Sequence, residues 1–239
     1  MKFLFAFLLL LGFSFSVFAT DLPMRVDISF DVKTGMGNGE LNETLKIKKT
    51  GDLLGYHIVS EARASGIFKL IRPGSIVRDS RGIITQQGLQ PSHFSDQRGK
   101  KIPSNAIFNW EKDLLVIRHK GKEKQKVLPA GTLDRLSFLY NFMFTPLNGE
   151  FVDVHVTDGR HLQQVRYAIA EETLDTPIGK LETIVLTKQS EKDDKLKRKV
   201  WLATNHHMLP VRIISTEKDG LELEKIVTGI NLSYSDDKH

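Results

Sequence analysis

The amino-acid sequence predicts a mainly β protein, an antiparallel curved sheet forming an open or half β-barrel, with one or two short helices packed on its concave face. Three observations lead there. Apolar and polar residues alternate along most of the chain, the period of a half-buried strand. Turn residues recur roughly every ten positions, as in a sandwich or barrel. One segment, 132–144, departs from the pattern and is apolar around most of a helical girth.

Residues 1–19 read as a secretory signal peptide. Met1-Lys2 is a short basic start, Phe3 to Phe13 is an apolar run, and Val17-Phe18-Ala19 places small residues at the first and third positions of a cleavage site. Ser14 and Ser16 interrupt the run before it reaches the roughly 20 residues of a membrane span. Cleavage after Ala19 leaves residues 20–239 as a single β-rich domain, expected in the periplasm and not membrane-spanning. Thr20 rather than cysteine follows the cut, so no lipid anchor is expected. The 239 residues contain no cysteine, which excludes disulfides, thiolate metal sites and thiol nucleophiles, and fits a bacterial periplasm better than an extracellular eukaryotic setting.

The strands follow in order. Val26, Ile28, Phe30 and Val32 alternate with charged or polar neighbours, and 35–39 is a Gly-rich turn. Leu41, Leu45 and Ile47 form the return strand, Gly51-Asp52 turns, and 54–64 is the third. Short strands follow at 76–77, 83–85 and 90–97, and a hairpin pairs 107–111 with 114–119. Later strands cover 151–156, 162–169, 181–188, 199–203, 211–216 and 221–232, separated by Asp158-Gly159, Pro177-Ile178-Gly179, Asn205-His206-His207 and Asp219-Gly220.

In segment 132–144, Asp134, Ser137, Asn141 and Thr145 fall on one narrow helical face and the apolar residues on the rest. Gly131-Thr132 can cap the start, Asp134 suits the first turn, and Pro146 ends it. The rival is a strand, since Phe138, Tyr140, Phe142 and Phe144 also alternate. A helix so apolar is buried on more than one side: it is either a core helix inside the sheet or one that shows Phe138 and Phe142 to a ligand. A second helical turn is expected at 66–71.

Searches for chemistry return little. There is no nucleophile elbow, phosphate loop, dinucleotide fingerprint or zinc-protease motif. His206-His207 reads as a turn, since adjacent residues on a strand face opposite ways and rarely share a metal. Asp96 and Arg98 read as a structural ion pair at a strand end. No catalytic residue, metal ligand or cofactor is assigned, and the chain is not expected to be an enzyme. The formal net charge is +5. Lys120, Lys122, Lys124 and Lys126 recur with period two, as on a solvated edge strand, although such lysines also attract anionic head groups. Arg98, Lys100 and Lys101 form another basic group, as do Lys195, Lys197, Arg198 and Lys199. Nucleic acid is not expected as a partner, because the clusters lack interleaved aromatic residues.

Several stretches in one order carry a resemblance. They are Ser65-Gly66-Ile67-Phe68-Lys69-Leu70-Ile71-Arg72-Pro73-Gly74; Gly88-Leu89-Gln90-Pro91 running on to Phe94-Ser95-Asp96-Gln97-Arg98; Phe108-Asn109-Trp110-Glu111; Leu136-Ser137-Phe138-Leu139-Tyr140; Glu172-Thr173-Leu174-Asp175-Thr176-Pro177-Ile178-Gly179; Val200-Trp201-Leu202-Ala203; and Leu209-Pro210-Val211-Arg212. Together they resemble a family of bacterial periplasmic proteins catalogued as domain of unknown function 3108, which lends no established activity. The Lys-rich segments near Lys122 and Lys195 depart from it. The implied architecture is similar to the half-barrel of periplasmic lipoprotein carriers, an analogy of fold that does not decide function.

The leading expectation is a protein that binds or carries an apolar or amphipathic envelope molecule, such as a lipid, lipoprotein or lipopolysaccharide-like species. Phe68, Leu70, Trp110, Phe138, Tyr140 and Phe142 would line the site, with lysines meeting an anionic end. The alternatives are a structural or interaction protein of envelope assembly with a protein partner and, behind both, a glycan hydrolase.

Overall fold

A computed structural model describes residues 22–65, 74–189, 197–216, 220 and 222–234. The strands are β1 (Arg25–Thr34), β2 (Gly37–Thr50), β3 (Leu53–Ala64), β4 (Ser75–Thr85), β5 (Gly88–Arg98), β6 (Ser104–Asn109), β7 (Leu114–His119) and β8 (Lys122–Val127). After the short β9 (Leu133–Asp134) come helix α1 (Ser137–Tyr140) and a 3-10 turn (Asn141–Met143). The chain continues with β10 (Phe151–Thr157), β11 (Leu162–Thr176), β12 (Gly179–Lys188), β13 (Arg198–Ala203), β14 (Leu209–Thr216) and β15 (Glu222–Ser233).

All fifteen strands of the described residues lie in one sheet, in the order β8-β7-β6-β5-β4-β3-β2-β1-β15-β14-β13-β12-β11-β10-β9. Two antiparallel meanders therefore meet where β1 pairs with β15, and only β9 runs parallel to its neighbour β10. The outer strands β8 and β9 do not pair with each other, so the sheet stays open, as a half-barrel does. It coils far enough to bring its arms together at one end. Arg160, in the β10–β11 turn, donates to Asp96 on β5 at 3.0 Å and to the Ser104 hydroxyl on β6 at 3.4 Å.

Alternation fixes which face is inside. On β1, Val26, Ile28 and Phe30 are buried, and on β2, Leu41, Leu45 and Ile47. A register slip of one residue on either strand would turn these toward solvent. Three hairpins, 34–37, 85–88 and 176–179, share one turn chemistry, in which the threonine hydroxyl donates to the glycine carbonyl three residues on. The stretches 76–77 and 83–85, expected as separate strands, belong to the single strand β4, which bends at a bulge between Arg81 and Gly82. Of the lysines at period two, Lys122, Lys124 and Lys126 lie in β8, an outer strand whose six residues are all exposed, and Lys120 lies in the turn before it.

The helix expected over 132–144 is much shorter. Leu133 and Asp134 pair with β10 instead. The Asp134 carboxylate then accepts the backbone N–H groups of Leu136 and Ser137 at 2.8 and 3.0 Å, and this Asx-type turn starts the helix late. Thr132, expected as the cap, donates its hydroxyl to the Pro129 carbonyl. The polar stripe faces the sheet rather than water. Ser80 on β4 donates to Asp134, the Leu89 N–H on β5 donates to the Asn141 side-chain oxygen at 2.8 Å, and Thr145 donates to the Gln87 carbonyl. The stripe stitches the helical segment to the β4–β5 hairpin. The rest of the segment fills the half-barrel, with Phe138, Leu139, Tyr140 and Phe142 buried. The second helical turn, expected at 66–71, lies outside the described residues.

Candidate functional site

A polar row crosses five strands of the mostly apolar inner face. Opposed residues of an antiparallel pair share a face, and the register links Glu43 to Ser60, Ser60 to Arg78, Arg78 to Asp96, and Asp96 to Ser104. All five are buried. Each occupies the inward phase of its strand, as Glu43 does between Leu41 and Leu45. A row of charge in an apolar interior is costly unless it is paired.

The two carboxylates are paired in different ways. Glu43 accepts the Ser60 hydroxyl at 2.8 Å and the Tyr140 hydroxyl at 2.8 Å, so neutral donors occupy both oxygens. Burial, followed by the field of Glu43, pushes the Tyr140 phenol well above its ordinary value, so it remains a donor. Asp96 sits among arginines: Arg98 and Arg160 each approach at 3.0 Å and Arg78 at 3.5 Å. Burial works against its ionisation, but Arg78 first, then Arg98, outweigh burial and hold its carboxyl below the usual range. The expected Asp96–Arg98 ion pair is present as one arm of this larger cluster.

Cations exceed these anions. Arg135 follows β9, Arg198 opens β13, and Lys225 lies on β15 between Val32 and Ile213 in the register. Among the described residues, no carboxylate forms an ion pair with Arg135, Arg198 or Lys225. Their fields reach one another. Arg135 is pushed down to about 9, first by Arg78, then by burial and Arg198. Lys225 is pushed down to about 7, first by burial, against the pull of Glu43 and with the repulsion of Arg78, Arg135 and Arg198. Burial also lowers Arg78, which is 8% exposed. The Nε–H groups of Arg78 and Arg198 are buried without a hydrogen-bond acceptor.

Aromatic side chains adjoin this charge. The Arg198 guanidinium lies 5.5 Å from the Phe138 ring centroid, and Phe138 stacks on Tyr167 at 5.1 Å and meets the edge of Phe142 at 5.6 Å. A cation over one face of a ring, with apolar surface beyond, can recognise an anion and an apolar group together.

The structure brings Phe138, Tyr140 and Phe142 together in the packed core, where they are 0%, 0% and 5% exposed. Trp110 stands apart. It stacks on Phe108 at 6.0 Å, donates to the Pro91 carbonyl at 2.6 Å, and helps line a shallow recess of about 300 Å³ with Arg81, Ile83 and Gln90. Phe68 and Leu70 lie outside the described residues. His206-His207 falls in a turn, with the His207 ring 3.2 Å from the Tyr234 hydroxyl. Sequence reasoning missed Glu43, Arg78, Arg135 and Lys225, and read Arg198 only as part of a basic cluster. For Glu43, Arg78 and Lys225 the signal was present as charges standing in the inward phase: Leu41-x-Glu43-x-Leu45, Ile76-x-Arg78-x-Ser80, and Leu223-x-Lys225-x-Val227.

Comparison with known proteins places the fold. The chain is similar to the crystal structure of a β-barrel-like protein of the DUF1849 family from Brucella abortus, with a TM-score of 0.50 and 8% identity over 89% of this chain and 99% of that one. A candidate lipoprotein from Parabacteroides distasonis aligns with a TM-score of 0.37 and 10% identity, covering 88% and 96%. A DUF1329 family protein from Desulfovibrio piger aligns at 0.28 and 9%, covering 92% and 88%. No curated protein matches. The model of a family described as protein of unknown function, DUF3108, matches residues 26–225, and the chain belongs to that family.

Proposed function

We propose that this chain is an exported binding or carrier protein, not an enzyme, for an amphipathic molecule of the bacterial cell envelope that is anionic at one end. The observation that carries the reading is an excess of inward-facing cations beside an aromatic stack, inside a sheet that does not close. Partly buried cations without a paired carboxylate are costly, and binding an anion offsets that cost. An acyl chain or comparable apolar body would take the place of the helical segment on the apolar inner face, with Phe138 and Tyr167, which are packed in the core, at the boundary between the two. Export to the periplasm is supported by the N-terminal pattern of residues 1–19.

A second reading, an interaction protein of envelope assembly, draws on β10. β9 pairs only with Val156 and Thr157, which leaves Phe151 to His155 without a strand on that side among the described residues. Such an edge can receive a strand from another protein.

Native mass spectrometry of protein purified from the periplasm, with lipid extraction of the same sample, separates the two readings. Binding predicts an amphiphile at fixed stoichiometry, lost from the Arg198→Gln variant. A bare wild-type mass, with a second protein co-purifying, overturns the carrier reading in favour of the edge.

A further inference from the structure

We propose that Arg78, Arg135, Arg198 and Lys225 together form a binding site for a phosphate-type oxyanion, carried on the head group of an amphiphile or free in solution. The inference rests on the binding reading above and names the chemical class of the ligand's charged end.

The placement comes first. Strand direction puts the start of β13, the start of β15, the turn after β9 and the β10–β11 turn at one end of the half-barrel. Arg198, Lys225, Arg135 and Arg160 come from those elements. Arg78 and Asp96 lie near the same end of β4 and β5, three and two residues from the strand termini. The charges therefore concentrate at one end of the half-barrel.

The charge balance comes second. Arg98 and Arg160 make the 3.0 Å contacts to Asp96, and Glu43 is occupied by Ser60 and Tyr140. Asp134 is occupied by the Ser80 hydroxyl and the backbone N–H groups of Leu136 and Ser137. Among the described residues, Arg78, Arg135, Arg198 and Lys225 thus share what remains of Asp96 and Glu43, with Asp158 acting on Arg135 alone among them. A monovalent carboxylate would leave an excess, whereas a phosphate monoester carries close to two charges at neutral pH.

The donors come third. Guanidinium groups present planar forks that match phosphate oxygens bidentately. The buried Nε–H of Arg198, which has no hydrogen-bond acceptor, is a donor of this kind, while that of Arg78 stands 3.5 Å from Asp96. The β8 lysines do not compete, because they stand on an exposed edge among Glu123 and Gln125, where solvent and salt screen them.

A linked proton follows from the same geometry. The charged groups that act on Lys225 are Glu43 from β2, Arg78 from β4, Arg135 from the segment after β9 and Arg198 from β13. A bound dianion outweighs the three arginines and favours the charged amine, so binding above neutral pH takes up a proton.

The test is isothermal titration calorimetry of the exported chain with inorganic phosphate, phenyl phosphate, and phosphatidylcholine vesicles with and without phosphatidate. It is run above neutral pH in two buffers of different ionisation enthalpy. Phosphate and phenyl phosphate are expected to bind, with proton uptake, and to lose roughly tenfold or more in affinity in Arg198→Gln and in Lys225→Gln, the scale of one charge-assisted contact. Lys126→Gln on β8 should leave binding unchanged. Preference for phosphatidate vesicles over phenyl phosphate identifies a lipid head group as the source, and the reverse order identifies a free phosphate. Equal affinity in wild type, Arg198→Gln and Lys225→Gln, or an equal loss in Lys126→Gln, overturns the site. Arg78→Gln is avoided because it also unpairs Asp96. Phosphate binding without any extractable amphiphile would sustain the site and defeat the carrier reading. An amphiphile held equally by wild type and both variants would do the opposite.

Discussion

Replacing Asp96 with asparagine removes one charge from the cluster at almost no change in volume. The native carboxylate is 2% exposed and faces three arginines, and the consequences differ for each. Arg98 has a side chain 40% exposed, so water takes over its solvation and its share is below about 1 kcal/mol. Arg160, at 26%, lies between the extremes. Arg78 is nearly enclosed, and stripping the partner from a buried charge costs about 3–5 kcal/mol. The expected loss for Asp96→Asn is therefore about 4 kcal/mol, dominated by Arg78. At 2–4 °C per kcal/mol for a chain of this size, the melting midpoint should fall by roughly 10 °C. Urea titration followed by far-UV circular dichroism measures the loss. The double variant Asp96→Asn/Arg78→Met removes the stranded cation as well and should recover part of the stability. A loss below about 1 kcal/mol for the single variant, or a further loss in the double, would refute the claim that Asp96 is the principal counter-charge of a buried Arg78.

Other outcomes follow from the same structure. Asp96 has a lowered folded pKa, so its contribution is present above the ordinary carboxylate range and is lost as pH falls through the folded value; the acid limb of a stability–pH curve should flatten in Asp96→Asn. Lys225 has the opposite sign. Its folded pKa of about 7 lies below the usual 10.5, so the unfolded chain binds more protons between those values and stability rises with pH across that window. Lys225→Met should accordingly stabilise the protein at neutral pH, by about 2 kcal/mol, and remove that rise. Gly88 has φ +105°, and a Cβ there would stand 2.4 Å from the Asn141 side-chain oxygen that receives the Leu89 N–H. Gly88→Ala should cost about 2–4 kcal/mol in chemical denaturation. Phe138→Ala empties the centre of the aromatic stack and should cost about 3–5 kcal/mol by the same measurement.

The half-barrel was legible because alternation and turn chemistry act locally. Val26, Ile28 and Phe30 declare an inner face with no knowledge of the neighbouring strand, and Gly88 or Gly179 marks a hairpin wherever it leads. Family resemblance pointed the same way. The helix was legible in kind but not in length, because Asp134 had two local uses. It could sit in a first turn or accept two backbone amides ahead of a later one, and pairing of Leu133 and Asp134 with β10 decided between them. The polar stripe was visible, but its partners were not: Ser80, Gln87 and Leu89 reach it across more than fifty residues of chain. The site was least legible for a related reason. Glu43, Arg78 and Lys225 each break the alternation of one strand, and a single break reads as noise. Only the strand register shows that Glu43, Ser60, Arg78, Asp96 and Ser104 form one row. Aromatic residues drew attention first, and the core absorbs Phe138, Tyr140 and Phe142 while Trp110 lies on a separate recess.

The most direct test of an inward-facing cationic cluster is phosphorus NMR of a short-chain phosphatidate added to the purified protein across a pH titration. Free phosphate monoesters lose their second proton near pH ~6. Surrounded by Arg78, Arg135, Arg198 and Lys225, the bound head group should give a displaced resonance that titrates at least about one pH unit lower, because neighbouring cations favour the dianion. The displaced resonance should vanish in Arg198→Gln. A single resonance that follows the free titration curve in wild type and variant alike would contradict the proposal.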